Sequence, residues 1–185
     1  SDQYSIGYVN TFNQNRFEMS TELYYKNLQN QVDYVDGAEV NTLADVESAL
    51  LYGVGRAYGF EWLLKKKEGL FTGWVSYTLS KTERKINGIN QNNWYNAKQD
   101  RTHDIAVVGI YTINSKWSVS GVFVYNTGDA VTFPTGKYAF QGQTLYQYAS
   151  RNANRMPDNH RLDISVTYDK KRKKKIQESW NFSLY

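Results

Sequence analysis

Arg161-Leu162-Asp163-Ile164-Ser165-Val166-Thr167-Tyr168 alternates polar and apolar side chains without a break. Successive side chains of an extended chain point to opposite faces, so this octet reads as a β-strand with one apolar and one polar face. The same period recurs outward from it. Trp180, Phe182 and Leu184 alternate with Ser179, Asn181 and Ser183. Trp117, Val119, Phe123 and Tyr125 oppose Ser118, Ser120 and Asn126, while Phe71, Val75, Tyr77 and Leu79 oppose Thr72, Trp74, Ser76, Thr78 and Ser80. Tyr52, Val54, Tyr58, Phe60, Trp62 and Leu64 face away from Gly53, Gly55, Ala57, Gly59 and Glu61. Phe17, Met19, Leu23 and Tyr25 face away from Arg16, Glu18, Ser20 and Glu22. Residues 3–9 alternate weakly, and 103–113 are apolar on both faces in places. Eight strands are expected, the fourth reaching from Leu70 to about Arg84.

The connections alternate strictly between short and long. Short turns are expected at Thr11–Asn15, Lys66–Gly69, Asn114–Lys116 and Asp169–Lys175. Long connections fall at about 30–50, 85–100 and 128–159, and Asn41–Leu51 has the composition for a helical turn or two. An up-and-down barrel in an outer membrane has this asymmetry, with short periplasmic turns and long extracellular loops. A β-sandwich has no reason to keep its two ends so different. Trp62, Phe71, Trp74, Tyr111, Trp117 and Trp180 lie near the short turns, where interfacial girdle residues belong.

Composition agrees. Aromatic residues make up 16% of the 185 positions, led by 16 Tyr, yet mean hydropathy is −0.67. No stretch approaches the roughly 20 apolar residues of a membrane helix. The absence of Cys excludes disulfides, thiolate metal sites and cysteine nucleophiles. A net charge of +4 is modest, and the run Lys170-Lys171-Arg172-Lys173-Lys174-Lys175 lacks the interleaved aromatics of a nucleic-acid patch. It reads as the solvated tip of a short turn, and no nucleic-acid partner is expected. Ser1-Asp2-Gln3-Tyr4 carries no signal-peptide pattern, and Trp180–Tyr185 stops within a strand pattern. Residues 1–185 are therefore expected to be a partial barrel domain, cut from a longer chain.

Gly55-Arg56-Ala57-Tyr58-Gly59-Phe60-Glu61-Trp62 and Gly73-Trp74-Val75-Ser76-Tyr77-Thr78-Leu79-Ser80 resemble strands in the C-terminal half of TonB-dependent receptor barrels, especially those of Bacteroidetes. The resemblance continues through Trp94, Ala97, Asp100-Arg101-Thr102-His103-Asp104-Ile105, Tyr125-Asn126-Thr127-Gly128 and Thr132-Phe133-Pro134. It ends with Arg151-Asn152-Ala153-Asn154-Arg155-Met156-Pro157 and His160-Arg161-Leu162-Asp163. It implies an all-β, antiparallel, up-and-down transmembrane segment, about eight strands of a barrel of roughly 22. It further implies a bacterial outer-membrane location, a plug domain in the lumen, and energy supplied through TonB. The cargo would be a scarce nutrient of the siderophore, vitamin or oligosaccharide class. Expected partners are outer-membrane lipids, the remaining strands and the plug, with a surface lipoprotein as a further candidate.

Candidate sites are few. His103 and His160 have charged neighbours but no converging ligand set, so no metal site or cofactor is expected. No nucleophile-and-base spacing or phosphate loop is present, and no enzyme is expected. Gly53, Gly55 and Gly59 should face the lumen, either admitting a plug or substrate or relieving strand bending. Arg161 and Asp163 should face it too, and with Arg101 and Asp104 they suit a ladder of mutually satisfied charges rather than contacts to a substrate, the other reading of the four. Tyr138, Phe140, Tyr146 and Tyr148, with Gln141, Gln143, Gln147 and Asn152, suit stacking and hydrogen bonding to sugars or a bulky ligand, and equally a folded extracellular loop or contact with a surface lipoprotein. A self-contained eight-stranded barrel of structural or adhesive role and a soluble β-sandwich are the alternatives.

Overall fold

The computed structural model describes residues 1–35, 47–140, 142–170 and 178–185. Eight long strands form one antiparallel meander: β1 (Asp2–Phe12), β2 (Phe17–Tyr34), β3 (Leu50–Lys66), β4 (Phe71–Ile86), β6 (His103–Thr112), β7 (Trp117–Asn126), β12 (Asn159–Lys170) and β13 (Glu178–Leu184). They coincide with the eight expected from alternation. The two-residue β5 (Tyr95–Asn96) continues the ladder along β4 beyond the end of β6. The sheet is open, with β1 and β13 as its edges.

The register aligns the apolar rows of all eight strands on one face. Ile6, Leu23, Phe60 and Leu79 form one row across β1 to β4, and Val107, Phe123 and Leu162 form another across β6, β7 and β12. Val166 and Phe182 carry a row on to β13. These side chains meet no second layer: Leu23, Leu162, Phe182 and Leu184 are all more than half exposed. A water-soluble sheet would cover such a face, because apolar area in water costs about 25 cal/mol per Å².

Aromatic rows bound this face above and below. Next to the short turns stand Phe12, Phe17, Phe71, Tyr111, Trp117, Tyr168 and Trp180, with Lys66 in the corresponding place on β3. Phe12 stacks on Phe17 at 5.3 Å, and Trp117 packs on Tyr168 at 4.7 Å. Toward the long loops the row is Tyr4, Tyr25, Tyr58, His103, Tyr125 and His160. From Phe17 to Tyr25, Trp117 to Tyr125 and His160 to Tyr168 the count is nine residues inclusive. That matches the roughly 9–11 residues a tilted strand needs to cross the hydrocarbon. Trp74 departs from the expected girdle: its even number on β4 puts it on the polar face, opposite Lys65 and Val108. Trp62 keeps the apolar face but sits two rows inside the girdle, level with Thr21 and Tyr77.

The turns explain themselves locally. Asn13, Gln14 and Asn15 all take left-handed φ values of 53 to 64°, a conformation Asn tolerates better than most residues. Asn114 Oδ1 accepts the amides of Lys116 and Trp117 at 2.8 and 3.1 Å, an Asx turn that closes the β6–β7 hairpin. Of the Asp169–Lys175 turn, Lys171–Lys175 lie outside the described residues, as do residues 41–46 of the expected helical segment. Glu47–Ala49 forms one 3₁₀ turn.

Candidate functional site at the long-loop end

The buried centre of the molecule lies beyond the upper aromatic row. β2, β3 and β4 extend past the ends of β6 and β7, and their extensions carry a cap of loops. Ile86, Ile89, Tyr95, Ala97 and Ala130 are almost wholly buried there, with Leu51 packed against the cluster of Ile86, Ile89 and Tyr95. Four of these five come from the stretch 86–97, and hydrogen bonds and ion pairs join that stretch to the other segments of the cap.

Asp100 organises one half of the cap. Its carboxylate is wholly buried, accepts the Thr82 amide at 2.5 Å and pairs with Arg155 through a short charge-assisted hydrogen bond. Arg155 also donates to the Asp100 and Gly128 carbonyls at 2.8 and 3.1 Å and to Thr102 Oγ1 at 2.9 Å. A guanidinium offers five donors in a rigid fork, which lets one side chain tie together four groups from two segments. Arg155 stands on β11 (Asn154–Arg155), which pairs with β8 (Ala130–Val131). That small ribbon is the base of the long loop 128–158. A Cβ on Gly128 would stand 1.9 Å from the Met156 carbonyl oxygen, so this position admits glycine alone without a shift of the base.

Asp33 organises the other half. It accepts from the Tyr95 hydroxyl at 3.0 Å and from Arg151 at 2.8 Å, with Arg84 at 3.8 Å. Burial, then the Asp33 charge, raise the Tyr95 phenol well above its usual pKa. Asn152 links the halves: it donates to the Asn96 carbonyl at 2.8 Å, and its amide donates to Thr132 Oγ1 at 2.9 Å. On the other side of β3 and β4, the Arg56 guanidinium lies 4.2 Å from the Trp94 ring centre and 2.7 Å from Glu83.

From this base projects the hairpin β9 (Pro134–Phe140) and β10 (Gln143–Tyr148), which sequence alternation alone did not separate from the loop. Tyr138 and Phe140 share one of its faces. Tyr146, opposite Lys137, lies on the other, and a bulge precedes Tyr148. All four rings are more than half exposed, so the hairpin offers aromatic surface on two sides rather than one patch. Gln141 lies outside the described residues.

The glycine and charge positions fall on the polar face. A Cβ on Gly53 would meet Ile86 at 2.7 Å. One on Gly55 would meet Gln31 at 3.0 Å, and one on Gly59 would meet the Tyr24 hydroxyl at 2.9 Å. The space above each glycine is occupied by this chain's own side chains. Arg161 and Asp163 pair with each other at 2.7 Å along β12, whereas Arg101 pairs with Asp129 at 3.2 Å and Asp104 lies opposite Asn126, so the four do not form the expected ladder. His103 hydrogen-bonds through Nδ1 to the Tyr77 hydroxyl at 2.9 Å, and His160 lies opposite Tyr125. Both histidines belong to the upper aromatic row.

Sequence reasoning did not assign Asp33, Tyr95, Asp100 or Arg155 to a site. The available signal was the clustering of Asp100, Thr127-Gly128 and Arg151–Arg155 in the motifs that carried the family resemblance; all of them converge in the cap.

An open meander with an apolar face bounded by two aromatic rows, a polar reverse face and pinned loops at one end defines the wall of a transmembrane β-barrel. The match to a known family is specific. Residues 1–185 fit the family model described as TonB dependent receptor-like, beta-barrel, and the chain belongs to that family. Its members are outer-membrane receptors and transporters, whose full-length forms carry a plug domain and engage TonB. No curated protein matches the chain.

Proposed function

We propose that residues 1–185 form part of the wall and outer loops of a receptor, of the Bacteroidetes type, that imports a scarce nutrient across the bacterial outer membrane. The short turns then lie in the periplasm and the cap faces outside. Gly53, Gly55, Gly59, Arg161 and Asp163 line the lumen, and further strands continue the wall at β1 and β13. The unpaired edges of the sheet support a larger barrel over a closed eight-stranded one, since closure removes every edge. The order and spacing of the motifs from Gly55 to Asp163 support that type by their likeness in sequence. The chain's role is transport, not catalysis.

The exposed hairpin carries the ligand-contact reading. Tyr138, Phe140, Tyr146 and Tyr148 present stacking faces at the outer mouth, held away from the sheet by a pinned base. The cargo belongs to the siderophore, vitamin or oligosaccharide class, and a surface lipoprotein is a second occupant compatible with the same rings. The test is accumulation of labelled ferric siderophores, cobalamin and oligosaccharides by cells making the full-length receptor, with and without functional TonB. One class is expected to enter only when TonB works. Replacing Tyr138 and Phe140 together by Ala should weaken its binding roughly tenfold, at about 0.5–1.5 kcal/mol per aromatic contact. TonB-independent accumulation overturns the transport reading, and unchanged affinity overturns the hairpin's role.

A further inference from the structure

We propose that the short-turn rim of the sheet is a binding site for the phosphate headgroup of anionic phospholipids. This rests on the reading that the apolar face meets lipid. Seven of the eight long strands place an aromatic ring in the lower row, whereas β3 places Lys66 there. Its cross-strand neighbour on β4 is Gly73, so no aromatic ring stands directly opposite it there. The ammonium lies 5.9 Å from the Phe17 ring centre and 5.7 Å from that of Phe71. Among the described residues, no carboxylate lies within ion-pair distance of it. A lysine at this depth runs its stem along apolar surface and holds its charge at headgroup level.

Beside Lys66 opens a cleft of about 360 Å³ lined by Asn13, Arg16, Phe17, Lys66, Glu68 and Gly69. Arg16 is held loosely, 3.7 Å from Glu68, with both side chains more than half exposed. Lys67 is committed elsewhere, to Glu18. Two cations and one carboxylate leave the cleft with one net positive charge, the complement of one phosphodiester. The backbone ties the two turns together, with the Lys67 amide donating to the Arg16 carbonyl at 2.8 Å. Lys116, in the β6–β7 turn, and Lys170, which pairs with Glu178, are further cations at the short-turn end.

The headgroup chemistry follows from this charge. A zwitterionic lipid brings the same phosphate together with a cation that the rim repels. A phosphatidylglycerol brings the phosphate with neutral hydroxyls. Polybasic segments near an anionic leaflet gain affinity with each added cation.

The test uses the full-length receptor in mixed micelles containing either palmitoyl-oleoyl phosphatidylglycerol or the matching phosphatidylcholine, with retained lipid counted by native mass spectrometry. Preferential retention of phosphatidylglycerol is expected. R16Q/K66Q should lower its apparent affinity roughly 30-fold, or about fivefold per cation removed. K66R should keep the preference, and Lys137→Gln, in the hairpin at the other end, should leave it unchanged. Excess inorganic phosphate should not displace the lipid. Equal retention of the two lipids, or a wild-type preference in R16Q/K66Q, overturns the proposal. Displacement by inorganic phosphate assigns the cleft to a free anion and overturns it too. A receptor that fails to enter lipid at all overturns the membrane reading itself, a result distinct from entry without preference.

Discussion

Arg155 and Asp100, 55 positions apart in the chain, form a charge-paired hydrogen bond beneath the long loops, and Asp100 is wholly buried. Removing one partner of such a pair leaves the other charge without compensation in a low-dielectric place, at a cost of about 3–5 kcal/mol. Arg155 is partly exposed, which puts Arg155→Met near the lower end, about 3 kcal/mol. The cap should loosen while the sheet persists. Limited proteolysis should cut within 128–158, and amides along β6 and β7 should keep their exchange protection. Equal loss of protection in both regions would show that cap and sheet unfold as one unit.

Gly128 gives a steric counterpart. Gly128→Ala drives a methyl into the Met156 carbonyl and must shift the ribbon of β8 and β11. Overpacking of this kind costs about 1–3 kcal/mol. Gly142 is the control: its φ is +77° and nothing lies within 4 Å of a Cβ there, so the penalty is conformational and confined to the hairpin tip. Exchange protection of the Met156 amide, bonded to the Asp129 carbonyl at 2.9 Å, should fall in Gly128→Ala and hold in Gly142→Ala.

These two sites show where legibility in the sequence stops. The strands were legible because a two-residue period writes the facing of every side chain into the order of the residues. Leu162-Asp163-Ile164 could not take another register without exposing Asp163 to the apolar face. Parity also corrects the girdle: Trp74 was grouped with Phe71 by nearness to the turn, yet even and odd positions on β4 face opposite ways. Phe12, Phe17 and Tyr168 were readable by the same rule. The cap was not legible. Asp33 meets Arg151 across 118 positions, through loops without a period, and the pairing depends on how three strand ends stand together in space. The β9–β10 hairpin escaped notice because its short strands carry aromatics on both faces, which erases the alternation.

Tyr95 sets the alkaline limit of the cap. Burial, then the Asp33 charge, hold its phenol pKa above the ordinary value of about 10. The folded state therefore keeps a proton that the unfolded state releases. The stabilisation is complete below about pH 10 and is lost as pH rises from there through the raised value. Tyr95→Phe should abolish this alkaline sensitivity, at a cost of about 1.5 kcal/mol at neutral pH for a hydrogen bond to a charge. Protease resistance of 128–158, followed from pH 8 to 11, reads both effects. A wild-type profile in Tyr95→Phe would rule Tyr95 out as the titrating group.

Asp158 gives the junction of the cap and β12 a dependence on acid pH. Its carboxylate accepts from the Tyr125 hydroxyl at 2.5 Å and from the Gly128 amide at 3.1 Å, and these bonds lower its pKa, the Tyr125 bond more. A lowered folded pKa gives support that is present above the ordinary carboxyl value of about 4 and is lost as pH falls through the lowered one. The protection factor of the Gly128 amide should follow that course. In Asp158→Asn it should be smaller and flat with pH, and a persistent acid transition would place the titrating group elsewhere.

Ile164 and Ser120 test the assignment of the two faces. Ile164 lies midway between His160 and Tyr168, in the centre of the nine-residue span, and points to the apolar side. Ser120 lies on the polar side, opposite Ser165. An Arg on the lipid face of a barrel at the bilayer midplane costs about 2–4 kcal/mol, whereas an Arg in a wet interior is tolerated. Ile164→Arg should therefore lower the stability of the reconstituted full-length receptor by that amount, and Ser120→Arg by much less, as read by urea titration in phospholipid vesicles. Moving the charge up β12 should relieve the penalty: Leu162→Arg, one row nearer the upper aromatics, should cost less than Ile164→Arg, because a long cationic side chain reaches the interface from there. Equal costs on the two faces would mean that the apolar rows meet protein rather than lipid.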